Sequence, residues 1–155
     1  MTTKTNVMRI LDKAKIAYKS HDYEKTDAVA GLEVARVLNQ DPNRVFKTLV
    51  TVGKSKKHYV FLVPVAEELN LKKAAECVGE KSVEMIKLKE LFPLTGYVHG
   101  GCSPIGMKKP FQTVIHKTAE NFETIFFSAG KIGCQVEVGL EDLKKVLSFD
   151  IADIV

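Results

Sequence analysis

Two apolar segments separated by a short lysine-rich turn constrain the fold of this chain most strongly. Residues Val45 to Val52 and His58 to Val65 are rich in valine, leucine and aromatic residues, and Gly53 to Lys57 lies between them. β-Branched and aromatic residues on both sides of a polar turn that begins with glycine are typical of a β-hairpin. The sequence therefore predicts an antiparallel strand pair here.

Helical and strand patterns alternate along the rest of the chain. Apolar spacing predicts an amphipathic helix from Val7, and a second helix that Thr26 caps and that carries Val29 on its apolar face. A third helix is predicted to start after Asn70 and to stop at Gly79. The other predicted elements are strands over 16–23, 83–86, 111–116, 124–128 and 134–138, a strand-like segment over 95–99, a helical turn over 88–92 that Pro93 halts, and a final helix over 141–147.

The predicted elements indicate an α+β fold. We expect a single domain over residues 1–155, with a mixed, barrel-like β-sheet of about six to seven strands flanked by helices. At 155 residues and 17.2 kDa the chain fits one domain, and 45% hydrophobic with 27% charged residues is ordinary for a globular protein. No apolar run approaches ~18 residues, so we expect no membrane segment and a cytoplasmic location.

Cysteine and histidine patterns argue against a metal or cofactor site. Three cysteines and four histidines are scattered, with no C-x-x-C pair and no H-E-x-x-H motif. We therefore expect no metal, no cofactor and no disulfide framework. The net charge of +4, with lysine pairs such as Lys108-Lys109, favours a polyanionic partner, although each lysine cluster alone is compatible with a solvated surface.

A glycine-rich loop is the first candidate for a binding site. Gly100 to Gly106 has glycine at three of seven positions and contains Pro104. Such a loop either connects two buried strands tightly or presents backbone N–H groups to a phosphate or an oxyanion. A second loop, Ser128 to Gly133, is compatible with a hairpin turn or a binding role.

Lys47 is the most misplaced polar residue, because it lies within the apolar run Arg44 to Val50. Its ammonium group must reach solvent at a sheet edge or face a cleft where a positive charge is useful. Tyr23 and His21 are also candidates for a cleft or for the core. Cys102 and Ser103 lack a Gly-x-Ser-x-Gly elbow and an evident base, so the sequence predicts no protein nucleophile.

Three ordered segments carry a family resemblance. They are Val45-Phe46-Lys47-Thr48-Leu49, Gly96 to Lys109 and Phe127 to Gly133. In their order and spacing they resemble the YbaK family, the free-standing relatives of the editing domain inserted in bacterial prolyl-tRNA synthetase. The similarity runs from about Val7 to Ile154.

The resemblance implies an aminoacyl-tRNA deacylase that clears mischarged Cys-tRNA(Pro) in trans, with prolyl-tRNA synthetase as a partner. It assigns Lys47 to the tRNA end and the backbone at Gly101 to the scissile carbonyl. In the cysteine-specific members the nucleophile is the substrate's own thiol, which closes to a thiolactone. The remaining residues that the resemblance assigns to substrate binding are Tyr23, Pro104, Ser128, Ala129, Gly130 and Gln135.

Two positions depart from some relatives. Gln135 stands where some members carry an aspartate, and Ala129 replaces a glycine. A neutral amide accepts a hydrogen bond but cannot neutralise an ammonium group. Two alternatives stay open at this point: a deacylase for Ala-tRNA(Pro) or another small aminoacyl-tRNA, and a non-catalytic module that binds tRNA or a synthetase.

Overall fold

Five helices and eight strands make up the part of the chain that this computed structural model describes, residues 4–26, 28 and 30–155. Two short 3-10 turns, Leu88–Glu90 and Lys117–Asn121, join them. In chain order the elements are α1 (Asn6–Lys13), β1 (Lys19–Asp22), α2 (Gly31–Val37), β2 (Phe46–Gly53), β3 (His58–Pro64), α3 (Leu71–Val78), β4 (Val83–Met85), α4 (Leu91–Thr95), β5 (Gln112–His116), β6 (Thr124–Lys131), β7 (Cys134–Gly139), α5 (Leu140–Leu143) and β8 (Asp150–Ala152).

The described strands form two open sheets. The larger one has the order β4-β2-β3-β5-β8 and is mixed, because β5 runs parallel to both β3 and β8. The smaller one has the order β1-β7-β6 and is antiparallel. The predicted α+β class is thus confirmed, while the strands number eight in the described residues and divide between two sheets that do not close into one.

A narrow seam joins the two sheets. Val45 forms an isolated parallel bridge with Phe126 of β6, and the Phe126 N–H donates to the Arg44 carbonyl at 2.9 Å. The Arg44 guanidinium lies 4.8 Å from the centroid of the Phe126 ring and donates to the Thr124 carbonyl at 3.1 Å. Arg44 and Val45 therefore hold β6 beside the start of β2.

The main hydrophobic core draws residues from both sheets and from α1. Fully buried Leu11 of α1, Leu62 of β3 and Phe127 of β6 belong to it. Alternate residues of β3, such as Phe61, pack in a second core with Ala74 of α3. Because β3 is buried on both faces, its sequence is a continuous apolar run rather than an alternating one.

Local signals predicted several elements correctly. The β2–β3 hairpin is present, with Lys47 opposite Val63. Helix α3 begins after Asn70, whose side chain accepts a hydrogen bond from the Lys73 N–H at 3.0 Å. It ends at Gly79, whose φ of 73° is a left-handed conformation that glycine adopts without strain.

Four predicted boundaries differ from the structure. Thr26 does not cap α2: its hydroxyl donates to the Tyr23 carbonyl at 2.7 Å, and the helix begins at Gly31. Pro93 does not halt a helix, because it lies in the first turn of α4, where a missing N–H breaks no helical bond. Residue Val29 lies outside the described residues.

The other two differences concern short segments. Residues 95–99 do not form a strand, because Thr95 ends α4 and Gly96 caps it with a φ of 84°. The final helix is regular only over Leu140–Leu143, and the chain then adds the three-residue strand β8. Among the described helices, none has the length and apolarity needed to cross a membrane.

Candidate active site

A cavity of about 450 Å³ opens beside the seam between the two sheets. Its walls come from α2, β2, the segment 85–91, the glycine loop, β6 and β7. Most of the lining side chains are apolar, as in small-molecule sites. The polar side chains that line it are Tyr23, Lys47, Thr48, His99, Ser128 and Gln135.

Lys47 supplies the charge of this cavity. Its side chain keeps 28% of its surface exposed, and its Nζ lies 3.5 Å from Oε1 of Glu68, which is itself almost fully exposed. Of the residues that line the cavity in the described part of the chain, none is an aspartate or a glutamate. The cavity is therefore suited to a ligand that carries or develops negative charge.

Gln135 is a polar residue of the cavity wall, and it lies on β7 where it pairs with Ser128 of β6. It is 3% exposed, and its Oε1 accepts a hydrogen bond from Nε2 of Gln40. Gln40 holds the amide in place but leaves its own Oε1 buried without a partner in the described residues. Sequence reasoning missed Gln40, because no local pattern links it to a residue on a different sheet.

Thr48 is a second residue that sequence reasoning missed. It lines the cavity next to Lys47, and its Oγ1 is buried with no hydrogen-bond partner among the described residues. An unpaired buried hydroxyl costs on the order of 1–3 kcal/mol. The only signal in the sequence was a hydroxyl placed next to the unusual lysine.

Tyr23 and Ser128 were predicted at the site, and both line the cavity. Burial raises the pKa of the Tyr23 phenol, so the ring stays neutral at physiological pH. The Tyr23 N–H donates to the Gly133 carbonyl at 2.8 Å, which attaches this residue to the turn after β6. The Ser128 hydroxyl accepts a hydrogen bond from the Gly130 N–H at 3.1 Å.

The glycine loop contributes Gly100 and Cys102 to the cavity wall, and it shares this cavity with Lys47. Gly101 lies between them but does not line the cavity, and its N–H donates to the Val98 carbonyl at 3.0 Å. A Cβ at Gly101 would lie 3.0 Å from both the Ile132 nitrogen and the Lys131 carbonyl carbon. Glycine is needed here because two backbones approach closely.

Three other predicted residues also lie outside the cavity lining. Pro104 is buried within the glycine loop, and Ala129 is fully buried in the main core. Gly130 has a φ of 98°, which allows the chain to turn after Ser128. The predicted contacts of these three residues with a substrate stay predictions.

The thiol nearest the cavity is not ionised. Burial raises the pKa of Cys102 to about 12, so it is a neutral thiol at pH 7. Ser103 is fully buried, and its hydroxyl accepts a hydrogen bond from the Ile105 N–H at 3.3 Å. No group of three or more His, Cys, Asp or Glu side chains within the described ranges is placed to hold a metal ion.

The close approach at Gly101 leads to a stability prediction. We expect Gly101→Ala to lower the free energy of unfolding by about 1–3 kcal/mol, because the new methyl group meets backbone atoms that cannot rotate away. Urea unfolding followed by circular dichroism measures this change. Gly139→Ala is the matched control, since its Cβ meets nothing closer than 3.4 Å and its φ is −68°. Equal losses in both variants would contradict the argument.

Comparison with known proteins identifies the family of this chain. The family model for the aminoacyl-tRNA editing domain matches residues 26–146, which include both loops and Lys47. The chain belongs to the aminoacyl-tRNA editing domain family. In this editing domain, Lys47 and the glycine loop line the same cavity.

Individual relatives cover the editing domain almost entirely. This chain is 42% identical over 152 residues to the "Putative Cys-tRNA(Pro)/Cys-tRNA(Cys) deacylase EbsC" of Enterococcus faecalis, and the alignment covers 97% of this chain and 93% of that protein. Two crystal structures share its fold. One is a "putative trans-editing enzyme for prolyl tRNA synthetase" (TM-score 0.82, 21% identity, 98% of each chain), and the other is the hypothetical protein APE2540 (TM-score 0.87, 19% identity, 97% and 99% of the chains).

Proposed function

We propose that this protein is a free-standing deacylase that cleaves the aminoacyl ester of mischarged tRNA, with Cys-tRNA(Pro) as its main substrate. The observation that carries the proposal is Lys47 in a small, largely apolar cavity without a lining carboxylate. The whole chain, residues 1–155, then acts as one editing domain. The name of the 42% identical relative supports the amino acid specificity.

The need for such an enzyme follows from the limits of binding selectivity. Cysteine is small enough to enter a site built for proline, and a difference of one methylene in a pocket is worth only about 1–3 kcal/mol. A second site that destroys the wrong product corrects the error. A cavity of about 450 Å³ is at the small end of ligand sites, which suits an amino acid and its ribose.

In the proposed reaction the substrate supplies its own nucleophile. The cysteine sulfur forms a bond to its own carbonyl carbon, the ester C–O bond breaks, and the thiol proton passes to the departing ribose oxygen. The products are a four-membered thiolactone and free tRNA. The neutral Cys102 thiol supports this route, because it leaves the glycine loop without an ionised protein nucleophile.

Lys47 is the catalytic residue of this proposal. Its ammonium group stabilises the substrate thiolate before it attacks and the negative charge that then develops on the carbonyl oxygen. The Gly101 N–H is already bonded to Val98, so the glycine loop contributes through the residues on either side, Gly100 and Cys102. Gln135 offers an amide to the polar groups of the cysteine.

We also propose prolyl-tRNA synthetase as a partner and the cytoplasm as the location. The trans-editing relative of the same fold supports the partnership. The name of EbsC includes both Cys-tRNA(Pro) and Cys-tRNA(Cys), which fits a domain that recognises the amino acid more than the tRNA. Under this view the synthetase supplies the selectivity for tRNA(Pro).

The proposal is tested by a deacylation assay with Cys-, Ala- and Pro-tRNA(Pro), each with and without prolyl-tRNA synthetase. We expect rapid release of tRNA from the cysteinyl ester, slower release from the alanyl ester, and an intact prolyl ester. Faster loss of alanine than of cysteine would reassign the enzyme to Ala-tRNA(Pro). Binding without cleavage of any ester would make the protein a non-catalytic tRNA-binding module.

A further inference from the structure

An exposed aromatic residue lies next to the mouth of the cavity. Leu88 and Leu91 line the cavity, and Phe92 follows directly on α4 with 55% of its surface exposed. Leu88 is exposed to 69%. Exposed large apolar residues that cluster beside a cavity mark interaction surfaces more often than isolated ones do.

A lysine is held against this aromatic ring. Nζ of Lys108 lies 5.1 Å from the centroid of the Phe92 ring. The Lys108 N–H donates to the Thr95 carbonyl at 3.1 Å, which fixes the lysine to the end of α4. Lys108 covers only part of the ring, because more than half of the Phe92 surface stays accessible.

The surroundings of Phe92 are positively charged. Lys87, Lys89, Lys108 and Lys109 are all exposed, and within the described residues none of their ammonium groups lies within 4.0 Å of a carboxylate oxygen. The one carboxylate contact among them in these described ranges is made by the backbone, where the Lys87 N–H donates to Oε1 of Glu90 at 3.0 Å. A positive surface around an exposed aromatic ring is the combination that binds single-stranded nucleic acid. It binds because bases stack on the ring while lysines contact phosphates.

We propose that Phe92 and Lys108 form a stacking platform for the single-stranded 3′ end of tRNA. This inference rests on the proposed function, which places the terminal aminoacyl ribose in the cavity. The exposed rim that Leu88 and Phe92 form is then a surface for the nucleotides before it. One base stacks on Phe92, and its phosphate contacts Lys108.

Binding of an uncharged RNA hairpin tests the platform without any ester chemistry. The probe has a four-nucleotide single-stranded 3′ overhang, and a blunt hairpin serves as its reference. We expect Phe92→Ala to weaken binding of the overhang probe by about 5-fold to about 100-fold, and binding of the blunt probe hardly at all. Leu71→Ala on α3, another exposed apolar residue outside the cavity lining, is the matched control.

Three further variants, with Lys72→Ala as a control, separate stacking from simple apolar contact and from charge. Phe92→Trp keeps a π-face and preserves binding, whereas Phe92→Leu loses it. Lys108→Ala lowers the slope of log K against log salt by about 0.7, the value for one phosphate contact on a single strand. Lys72→Ala, an exposed lysine on α3, leaves the slope unchanged.

Deacylation assays distinguish failure of the platform from failure of the proposed function. Phe92→Ala raises KM for Cys-tRNA(Pro) but leaves turnover of an abasic cysteinyl-ribose ester unchanged, because that ester carries no base to stack on Phe92. If the unaltered protein cleaves neither ester, the proposed function fails. If it cleaves both and Phe92→Ala changes neither KM nor hairpin binding, the platform is refuted, and a loss of synthetase binding would then reassign the surface to a protein partner.

Discussion

Replacing Lys47 by alanine is expected to slow deacylation of Cys-tRNA(Pro) by about 100-fold to about 1,000-fold, the usual cost of removing one preorganised group that stabilises developing charge. The effect is large because, among the described residues that line the cavity, Lys47 is the only lysine or arginine. Single-turnover kinetics with charged tRNA measure the chemical step directly.

Two companion variants make the Lys47 result interpretable. Lys47→Met keeps the length and apolar stem of the side chain, so a loss of rate equal to that of Lys47→Ala shows that the charge matters. Glu68→Ala removes the carboxylate that pairs with Lys47 at 3.5 Å. Because that carboxylate is exposed, we expect less than about a 3-fold change. Unchanged rates in both Lys47 variants would remove this residue from the mechanism.

The second large effect concerns the substrate. Serine attached to tRNA(Pro) differs from cysteine only by oxygen in place of sulfur, and we expect the protein to cleave it at least ~1,000-fold more slowly. A thiol ionises near pKa 8.5, whereas a hydroxyl hardly ionises at neutral pH, so the attacking anion is lost. Parallel deacylation of Cys- and Ser-tRNA(Pro), corrected for spontaneous hydrolysis, gives the ratio.

The identity of the product strengthens this comparison. Attack by the substrate thiol releases a thiolactone, which mass spectrometry detects before it opens in water. Attack by water releases free cysteine from the start. Comparable rates for the two esters, or oxygen-18 from solvent in freshly released cysteine without a thiolactone phase, would contradict substrate-assisted chemistry and would leave Lys47 as a group that assists water.

Local signals were enough to predict much of this protein. Asn70 and Gly79 bound α3 because capping depends on a few adjacent residues. Lys47 stood out because a cation within an apolar strand needs a reason, and the structure places it at a cavity. The family resemblance predicted that Tyr23, Ser128 and Gln135 share one site although they are distant in sequence, and all three line the cavity.

Features that depend on contacts between distant elements were not predictable. Gln40 and Gln135 are 95 positions apart, and nothing in either segment indicates that their amides meet. Strand β8 has only three residues, which are too few to show an alternation of period two. It forms because its backbone pairs in parallel with the edge of β5. Gly101 looked like a donor of an N–H, whereas its main constraint is the nearby backbone of Lys131 and Ile132.

The seam between the sheets gives this cavity a mechanical property. Lys47 belongs to one sheet and Ser128 to the other, and the described contacts between the sheets include the bridge of Val45 to Phe126, the hydrogen bonds of Arg44 and the shared core. Two walls of the cavity therefore come from different sheets, and Arg44 lies at the seam that holds these sheets together. The width of the cavity depends on how the two sheets pack, so we expect a substitution at Arg44, which does not line the cavity, to change that width without touching the ligand.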